Sequence, residues 1–181
     1  MIDFKLKQIG TVKSGRKEAC LYPEDQDLKI DRELALDQYV EMEVSEIVVD
    51  EEYAGCLDGI EEFSHVIVLF LTQFTNEGAR RIKRVHPGGF KEFPVKGIFS
   101  TRSPVRPNPI GLTVVELLER RENVLVLKGL DAIDDTEVLD IKPFISFLDM
   151  PEDPKDPKWI LDLFDYIAKE KGRLVEERKR S

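Results

Sequence analysis

Apolar patterns typical of β-strands follow one another along this chain without regular intervening helices. The predicted strands cover residues 4–12, 39–49, 65–74, 97–101, 110–118, 124–130 and 138–144. A doubly wound α/β sheet needs a helix after each parallel strand, so this succession excludes that class. The sequence therefore predicts a mainly β fold, either an antiparallel barrel or a sandwich.

Alternation of apolar and polar residues sets the expected inward face of two of these strands. In the first, Phe4 and Leu6 are expected to face the core. In strand 39–49, Val40, Met42 and Val44 are expected inside and polar neighbours such as Ser45 outside.

The stretches between the predicted strands differ in character. Residues 13–38 are polar and are expected to form a long loop insertion, whereas residues 53–63 predict one or two helical turns. Residues 80–95 contain His86-Pro87-Gly88-Gly89 and are expected to form an exposed loop.

A C-terminal helix is expected after a proline-rich linker. Asp156 is a good N-cap, Pro157 suits the first helical position, and Ile160, Leu163, Phe164 and Ile167 recur at helical spacing. This divides the chain into a barrel domain, residues 1–149, and a linker with an amphipathic helix, residues 150–181. The apolar stripe of the helix is expected to dock on the barrel or on a second subunit.

Cysteine and histidine are too sparse for a structural metal site. The two cysteines, Cys20 and Cys56, form no Cys-x-x-Cys pair, and only two histidines are present. Both cysteines are expected to be small buried residues in a reducing compartment. The N-terminus lacks the apolar core of a signal peptide and no apolar run is long enough to span a membrane, so a cytoplasmic protein without metal is expected.

Charge is distributed unevenly along the chain. The net charge is −9, which argues against a binder of arbitrary polyanions, yet residues 80–106 hold eight basic residues and a single acidic one. Such a segment either guides a phosphate backbone or is a solvated loop balanced by acidic neighbours in the fold.

Two further segments have the composition of a binding site. Three prolines stiffen residues 104–109. Arg102, just before these residues, and Arg106, among them, project from the stiff loop beside Asn108. Residues 129–136 carry three aspartates where one strand turns into the next, and their oxygens can accept hydrogen bonds from a nucleoside or simply close the turn.

These segments carry a specific resemblance. Residues 100–112, Ser-Thr-Arg-Ser-Pro-Val-Arg-Pro-Asn-Pro-Ile-Gly-Leu, followed by Gly-Leu-Asp at 129–131 and Asp-Ile-Lys-Pro-Phe at 140–144, resemble the TrmO family, also called TsaA-like. Residues 8–14 and 59–65 fit the same family, so the resemblance covers about residues 4–147.

The resemblance implies a mainly β fold, a small closed or partly open antiparallel β-barrel. It also implies a homodimeric enzyme that uses S-adenosylmethionine to methylate N6 of threonylcarbamoyladenosine at position 37 of tRNA. It places the cofactor pocket, near the subunit interface, at Gln73, Phe74, Arg102, Leu112, Ala132, Ile133, Asp134, Asp135 and Thr136. Asp134 is the candidate catalytic residue, expected to orient the attacking nitrogen or accept its proton. The candidate RNA-binding residues are Arg84, His86, Arg106 and Asn108.

Three segments depart from the family pattern. A Pro-Arg-Gln-x-Gly motif is missing at residues 18–23, and the loops at 86–90 and 134–137 differ in sequence. These departures leave two alternatives open: a methyltransferase that acts on another RNA or on a small molecule, and a barrel that binds S-adenosylmethionine or RNA without catalysis.

Overall fold

The structure is a computed structural model that describes residues 5–35, 43–73 and 76–180. Within these residues the strands are β1 (Gly10–Lys13), β2 (Leu21–Glu24), β3 (Asp27–Ile30), β4 (Val44–Val49), β5 (His65–Leu71), β6 (Arg84–Val85), β7 (Lys96–Gly97), β8 (Ile110–Arg121), β9 (Val124–Lys128) and β10 (Glu137–Pro143). The α-helices with both ends described are α1 (Glu77–Arg80), α2 (Ser146–Asp149) and α3 (Lys158–Arg180). Short 3-10 helices cover Glu51–Leu57, Ile60–Glu62, Pro87–Gly89 and Ile98–Ser100.

Six of the strands close an antiparallel barrel in the order β1, β10, β5, β8, β9, β4, with β4 pairing back to β1. The barrel confirms the predicted fold class, and closure leaves no exposed sheet edge among these strands. Its interior is filled by inward-facing residues that are almost fully buried: Val12, Ile47, Val49, Val66, Val68, Phe70, Val115, Leu125, Leu127 and Val138.

The inward face of β4 is the reverse of the one expected from the sequence. Val44 is 56% exposed, whereas Ser45 is 3% exposed and faces inward with Ile47 and Val49. Ile47 and Val49 are both needed in the core, and the two-residue period of a strand then brings Ser45 inside. The other expected inward positions of this strand, 40 and 42, lie outside the described residues.

The first strand is shorter than expected. It begins at Gly10, where an added Cβ would lie 2.6 Å from the carbonyl oxygen of Val48, so only glycine lets β1 approach β4 this closely. Leu6 precedes the strand and is 55% exposed, which contradicts its expected core position, and Phe4 lies outside the described residues.

Residues 13–38 are not simply a loop, because they contain the hairpin of β2 and β3. Glu24 pairs with Asp27 across a two-residue turn in which Asp25 and Gln26 both have positive φ, 49° and 62°. Such turns usually carry Asn-Gly or Asp-Gly, and the Asp-Gln pair here lacks that signal, so the sequence did not predict the hairpin.

Residues 80–95 were expected to be an exposed loop and instead help to form a second apolar cluster. It lies beside the barrel and comprises Leu28, Ala79, Ile82, Val85, Ile98 and Val105. The strand expected at residues 97–101 is reduced to β7, which pairs with β6, and the chain continues as the 3-10 helix Ile98–Ser100.

Helix α3 begins two residues after the predicted N-cap and docks on residues 90–96. The Tyr166 ring meets Phe90 and Phe93 edge-on at 5.4 and 5.5 Å, and Lys96 lies 5.4 Å from the Trp159 ring. Of the expected apolar stripe, Leu163 is 6% exposed, whereas Phe164 is 61% exposed and so contradicts the expectation that it docks. Within the described part of the chain, neither this helix nor any other is long and apolar enough to cross a membrane.

The cysteines do not share one environment. Cys20 is partly buried, whereas Cys56 is exposed and so contradicts the expectation of a buried residue. Cys56 lies in the 3-10 helix Glu51–Leu57, which buries Leu57 instead.

Candidate functional site

A cavity of about 660 Å³ opens at one end of the barrel, where β1 and β5 end and β8 and β10 begin. Its walls come from four segments: residues 16 and 19–21, residues 70–73, residues 101–104, 106 and 110–114, and residues 131–133 and 136. The volume falls in the range of pockets that hold a nucleoside-sized ligand. Residues 101–109, here called the proline loop, and residues 129–136, here called the aspartate turn, are far apart in sequence. They therefore border one cavity only because the fold brings them together.

The proline loop is anchored through its carbonyl groups. The Thr72 hydroxyl donates to the Pro104 carbonyl at 2.9 Å, and the Thr72 N–H donates to the Pro109 carbonyl at 2.7 Å. Arg80 Nε donates to the Pro107 carbonyl at 2.8 Å. Since proline has no N–H to offer, these acceptor contacts are what hold the loop against the end of β5.

The two arginines of this loop have different environments. Arg106 Nη1 donates to the carbonyls of Thr101 and Ser103 at 2.9 and 3.4 Å, so it closes the loop on itself. Arg102 is exposed, and its Nη1 donates to the Leu112 carbonyl at 3.5 Å. Both arginines line the cavity, and Arg102 is the more exposed of the two.

The floor of the cavity depends on one glycine. A Cβ on Gly111 would lie 2.3 Å from Phe70 Cε2, closer than any real contact. The two residues face each other across the β5–β8 pairing, so glycine leaves the space that the Phe70 ring fills. The ring is 7% exposed and gives the cavity an apolar base.

The aspartate turn is tied to the end of β1 and to the segment after it by three ion pairs. Each of its aspartates pairs with one basic residue: Lys13 with Asp135 at 2.5 Å, Arg16 with Asp131 at 3.1 Å, and Lys17 with Asp134. The backbone adds hydrogen bonds from Asp134 N–H to the Arg16 carbonyl at 2.7 Å and from Asp135 N–H to the Val12 carbonyl at 2.9 Å. One wall of the cavity is therefore a cross-linked pair of segments.

Asp134, the candidate catalytic residue, is engaged away from the cavity. It accepts hydrogen bonds from Lys17 and from the Ser14 N–H, which lower its pKa. Among the described residues that line the cavity, neither Asp134 nor Asp135 is found. An engaged carboxylate with a lowered pKa is a weak proton acceptor at neutral pH.

The remaining expected cofactor residues divide as follows. Gln73, Leu112, Ala132, Ile133 and Thr136 line the cavity. Phe74 lies outside the described residues.

Arg16 and Cys20 are among the cavity residues that were not predicted from the sequence. The Arg16 side chain is only 11% exposed, and its Nε lies 3.3 Å from Glu43 Oε2. Cys20 also lines the cavity, and burial, reinforced by the charge of Asp131, raises the pKa of its thiol to about 11. The three basic residues within 13–17 were the available signal, because they equal the three aspartates in number and carry the opposite charge.

Three of the candidate RNA-binding residues lie outside the cavity lining. Arg84 is exposed on β6, and Asn108 is exposed on the proline loop. His86 is partly buried: its N–H donates to Asp27 Oδ1 at 2.8 Å, and its Nδ1 lies 2.5 Å from Asp27 Oδ2. Arg84 is thus available to a polyanion, whereas His86 is committed to the β2–β3 hairpin.

Metal ligation has no basis in the described residues, which contain no group of three or more His, Cys, Asp and Glu side chains able to hold an ion. The cavity instead offers guanidinium groups, backbone carbonyls, one carboxylate and an apolar floor. That set suits an organic ligand with both charged and aromatic parts.

A family model described as "tRNA-methyltransferase O N-terminal domain" matches residues 33–150, more than half of the chain. A protein of Methanothermobacter thermautotrophicus named "Probable S-adenosyl-L-methionine-binding protein" is 46% identical over 107 residues, which cover 59% of this chain and 74% of that protein. The Escherichia coli protein named "tRNA (adenine(37)-N6)-methyltransferase" is 35% identical over 151 residues, 81% of this chain and 60% of that protein.

The fold has a solved counterpart. A crystal structure of TrmO superposes with a TM-score of 0.63 at 27% identity and covers 86% of this chain. This chain spans 64% of the length of that one. The matched family model, the curated relatives and the shared barrel together show that this chain belongs to the TrmO family.

Proposed function

We propose that this protein is an S-adenosylmethionine-dependent methyltransferase that modifies N6 of adenosine 37 in tRNA, with N6-threonylcarbamoyladenosine as its acceptor. The names of the relatives in Escherichia coli, mouse and human support the reaction class. The resemblance of residues 100–112 and 129–144 to the family supports the finer choice of acceptor. The observation that carries the proposal is the single cavity bordered by Arg102 and the aspartate turn.

The residues of the cavity fit the methyl donor. The exposed guanidinium of Arg102 suits the carboxylate of the methionine part, and the apolar floor at Phe70 with the apolar rim at Leu112 suits a purine ring or methylene groups. Gln73 offers both a donor and acceptors for polar edges. When bound, S-adenosylmethionine supplies a methyl group on a positively charged sulfur, open to in-line attack by an amine nitrogen.

The protein contributes position and exclusion of water. Anchored loops hold the walls before any ligand binds, so little ordering is left for the moment of reaction. The apolar floor favours a state in which charge on sulfur is being lost. The exposed basic residues Lys83 and Arg84, at the start of β6, are proposed to contact the tRNA phosphates.

A homodimer belongs to the same proposal. Leu112 and Val114 line the cavity, yet both are 43% exposed on the outer face of β8, so the rim continues into an apolar sheet face. A second copy that covered this face would also enclose the cavity. Light scattering measures the mass that this requires.

The test is incubation of the purified protein with S-adenosylmethionine and tRNA that lacks the methyl group, followed by mass spectrometry of the nucleosides. A methylated threonylcarbamoyladenosine is expected. In calorimetry, Arg102→Ala should weaken S-adenosylmethionine binding at least about tenfold, the effect of removing a charge-assisted hydrogen bond of about 1.4 kcal/mol or more. Arg121→Ala, at the far end of β8, should leave binding unchanged.

A second candidate function is binding of S-adenosylmethionine without catalysis. The name of the 46% identical relative in Methanothermobacter thermautotrophicus favours it. Tight binding of S-adenosylmethionine with no turnover on any tRNA would support this candidate. Turnover on a different RNA or on a small molecule would instead show that the protein is a methyltransferase with an acceptor other than threonylcarbamoyladenosine.

A further inference from the structure

The cavity contains few groups that can take up a proton. The guanidinium groups of its arginines are hydrogen-bond donors with no acceptor atom. The thiol of Cys20 keeps its proton, because burial raises its pKa to about 11. Among the described residues that line the cavity, Asp131 is the one carboxylate.

Asp131 is held at the cavity wall by a buried arginine. Arg16 Nη1 lies 3.1 Å from Asp131 Oδ1, and Arg16 is itself fixed through Nε by Glu43 Oε2 at 3.3 Å. The side chain of Arg16 is 11% exposed, whereas that of Asp131 is 84% exposed. The arginine therefore anchors the carboxylate from behind and leaves it accessible to a ligand.

The arrangement also separates Asp131 from its two neighbours in the turn. Lys17 and the Ser14 N–H engage Asp134, and Lys13 engages Asp135. Asp134 and Asp135 therefore tie the turn to the end of β1 and to the segment after it. Asp131 combines such a tie with a place in the cavity lining.

Methylation of an N–H nitrogen to a neutral product requires that the nitrogen lose its proton. In an adenosine whose N6 also bears a carbonyl group, the lone pair is delocalised, so an acceptor for that proton assists the attack. A carboxylate at the wall of the cavity is the group with this capacity.

We propose that Asp131 is a catalytic residue of the methyl transfer, accepting the hydrogen bond and then the proton of the acceptor nitrogen, with Arg16 as its positioning residue. The inference rests on the proposed function. The nitrogen lone pair forms the bond to the methyl carbon, the carbon–sulfur bond breaks with its electron pair remaining on sulfur, and the proton passes to Asp131 and on to solvent.

The experiment compares Asp131→Asn with Asp135→Asn, which removes a carboxylate of the same turn outside the cavity lining. Calorimetry gives the Kd for S-adenosylmethionine, a filter assay gives the Kd for tRNA, and single-turnover rates at saturating concentrations give the chemical step. Asp131→Asn should lower that rate by about 10²- to 10⁴-fold, the usual contribution of a general base. Both Kd values should stay close to those of the unchanged protein.

A third variant, Asp131→Glu, keeps the carboxylate and should recover part of the rate, which a purely structural role would not predict. The proposal is overturned if Asp131→Asn raises the Kd for S-adenosylmethionine while the saturated rate is unchanged. Asp131 would then help to bind S-adenosylmethionine and would not accept the proton. Equal rate losses in Asp131→Asn and Asp135→Asn would also overturn it.

The outcome for the unchanged protein separates this inference from the proposed function. If the unchanged protein methylates tRNA and Asp131→Asn is equally active, only the catalytic role of Asp131 fails. If the unchanged protein binds S-adenosylmethionine but methylates no tRNA, the proposed function fails and the role of Asp131 fails with it. Thermal unfolding of each variant shows whether it is folded.

Discussion

At the scale of single residues, side chains of one chemical type have been given different tasks by their neighbours. Arg106 closes the proline loop on the Thr101 carbonyl, Arg16 holds Asp131, and Arg102 faces the cavity. Their positions in the sequence do not distinguish these tasks. The distinction comes from which carbonyl or carboxylate lies within reach of each guanidinium.

Gly111 offers a test of the cavity floor. Gly111→Ala places a Cβ 2.3 Å from Phe70 Cε2, which is too close for two carbon atoms. The ring must therefore move, and the cavity floor must shift with it. We expect a loss of about 1–3 kcal/mol in the free energy of unfolding, typical of overpacking, together with weaker S-adenosylmethionine binding. Urea denaturation and calorimetry measure the two effects.

The matched control is Gly55→Ala, because a Cβ at Gly55 meets nothing within 4 Å. It should change neither quantity appreciably. Equal destabilisation by both substitutions would contradict the assignment of Gly111 to the floor.

At the scale of elements, the β2–β3 hairpin joins the cavity wall to the basic segment. The Asp31 N–H donates to the Cys20 carbonyl at 2.8 Å at the base of the hairpin. At its tip, Asp27 binds the backbone and ring of His86 and also pairs with Lys91. The hairpin thus connects the cavity wall at residues 19–21 with residues 86–91.

Asp27 should be a stabilising residue whose contribution depends on pH. Burial acts to raise the pKa of Asp27, but hydrogen bonds from Lys91 and His86 outweigh it and hold the pKa well below its usual range. We expect Asp27→Asn to cost about 1–3 kcal/mol at pH 7, since charge-assisted hydrogen bonds of a partly buried group are removed. Denaturation across pH measures this difference.

The sign of the pH dependence follows from the lowered pKa. A carboxyl with a depressed folded-state pKa stabilises the protein above its unfolded value of about 4, and this stability is lost as pH falls through the folded value. The difference between the unchanged protein and Asp27→Asn should therefore shrink below about pH 4. Glu24→Gln removes the exposed pair with Lys29 in the same hairpin and should have little effect at any pH.

At the scale of the whole molecule, an acidic protein presents a basic surface. Within residues 80–96, Arg81 pairs with Glu77 and Lys91 with Asp27, so part of the local charge is balanced inside the fold. Lys83 and Arg84, which precede the buried Val85 in the sequence, are both exposed. Docking of α3 through Tyr166 fixes the far side of the same segment.

The double variant Lys83→Gln/Arg84→Gln tests whether this surface meets tRNA. If each residue neutralises a phosphate, tRNA binding should weaken, and the slope of log Kd against log salt should fall by about 1 for each phosphate no longer neutralised. S-adenosylmethionine binding should not change. Arg121→Gln, at the opposite end of β8, removes a basic charge elsewhere and should leave the slope unaltered.

The sequence by itself determined the mainly antiparallel β fold, the C-terminal helix and the two segments that border the cavity, and its resemblance to the TrmO family implied the barrel. Long alternating or apolar strands such as β5 and β8 carry their own period, and three prolines stiffen a loop in any context. The segments around Arg102 and Asp131 could therefore be recognised from local patterns alone.

Only the tertiary structure decided which groups face the cavity. The burial of Ser45, the hairpin at Asp25 and Gln26, and the pairing of each aspartate with a different basic residue all depend on contacts between distant parts of the chain. The sequence favoured Asp134 as the proton acceptor, and the fold turns it towards Lys17 and brings Asp131 to the wall. The physical reason is that local period sets where a strand runs, while long-range ion pairs and packing set where a side chain points.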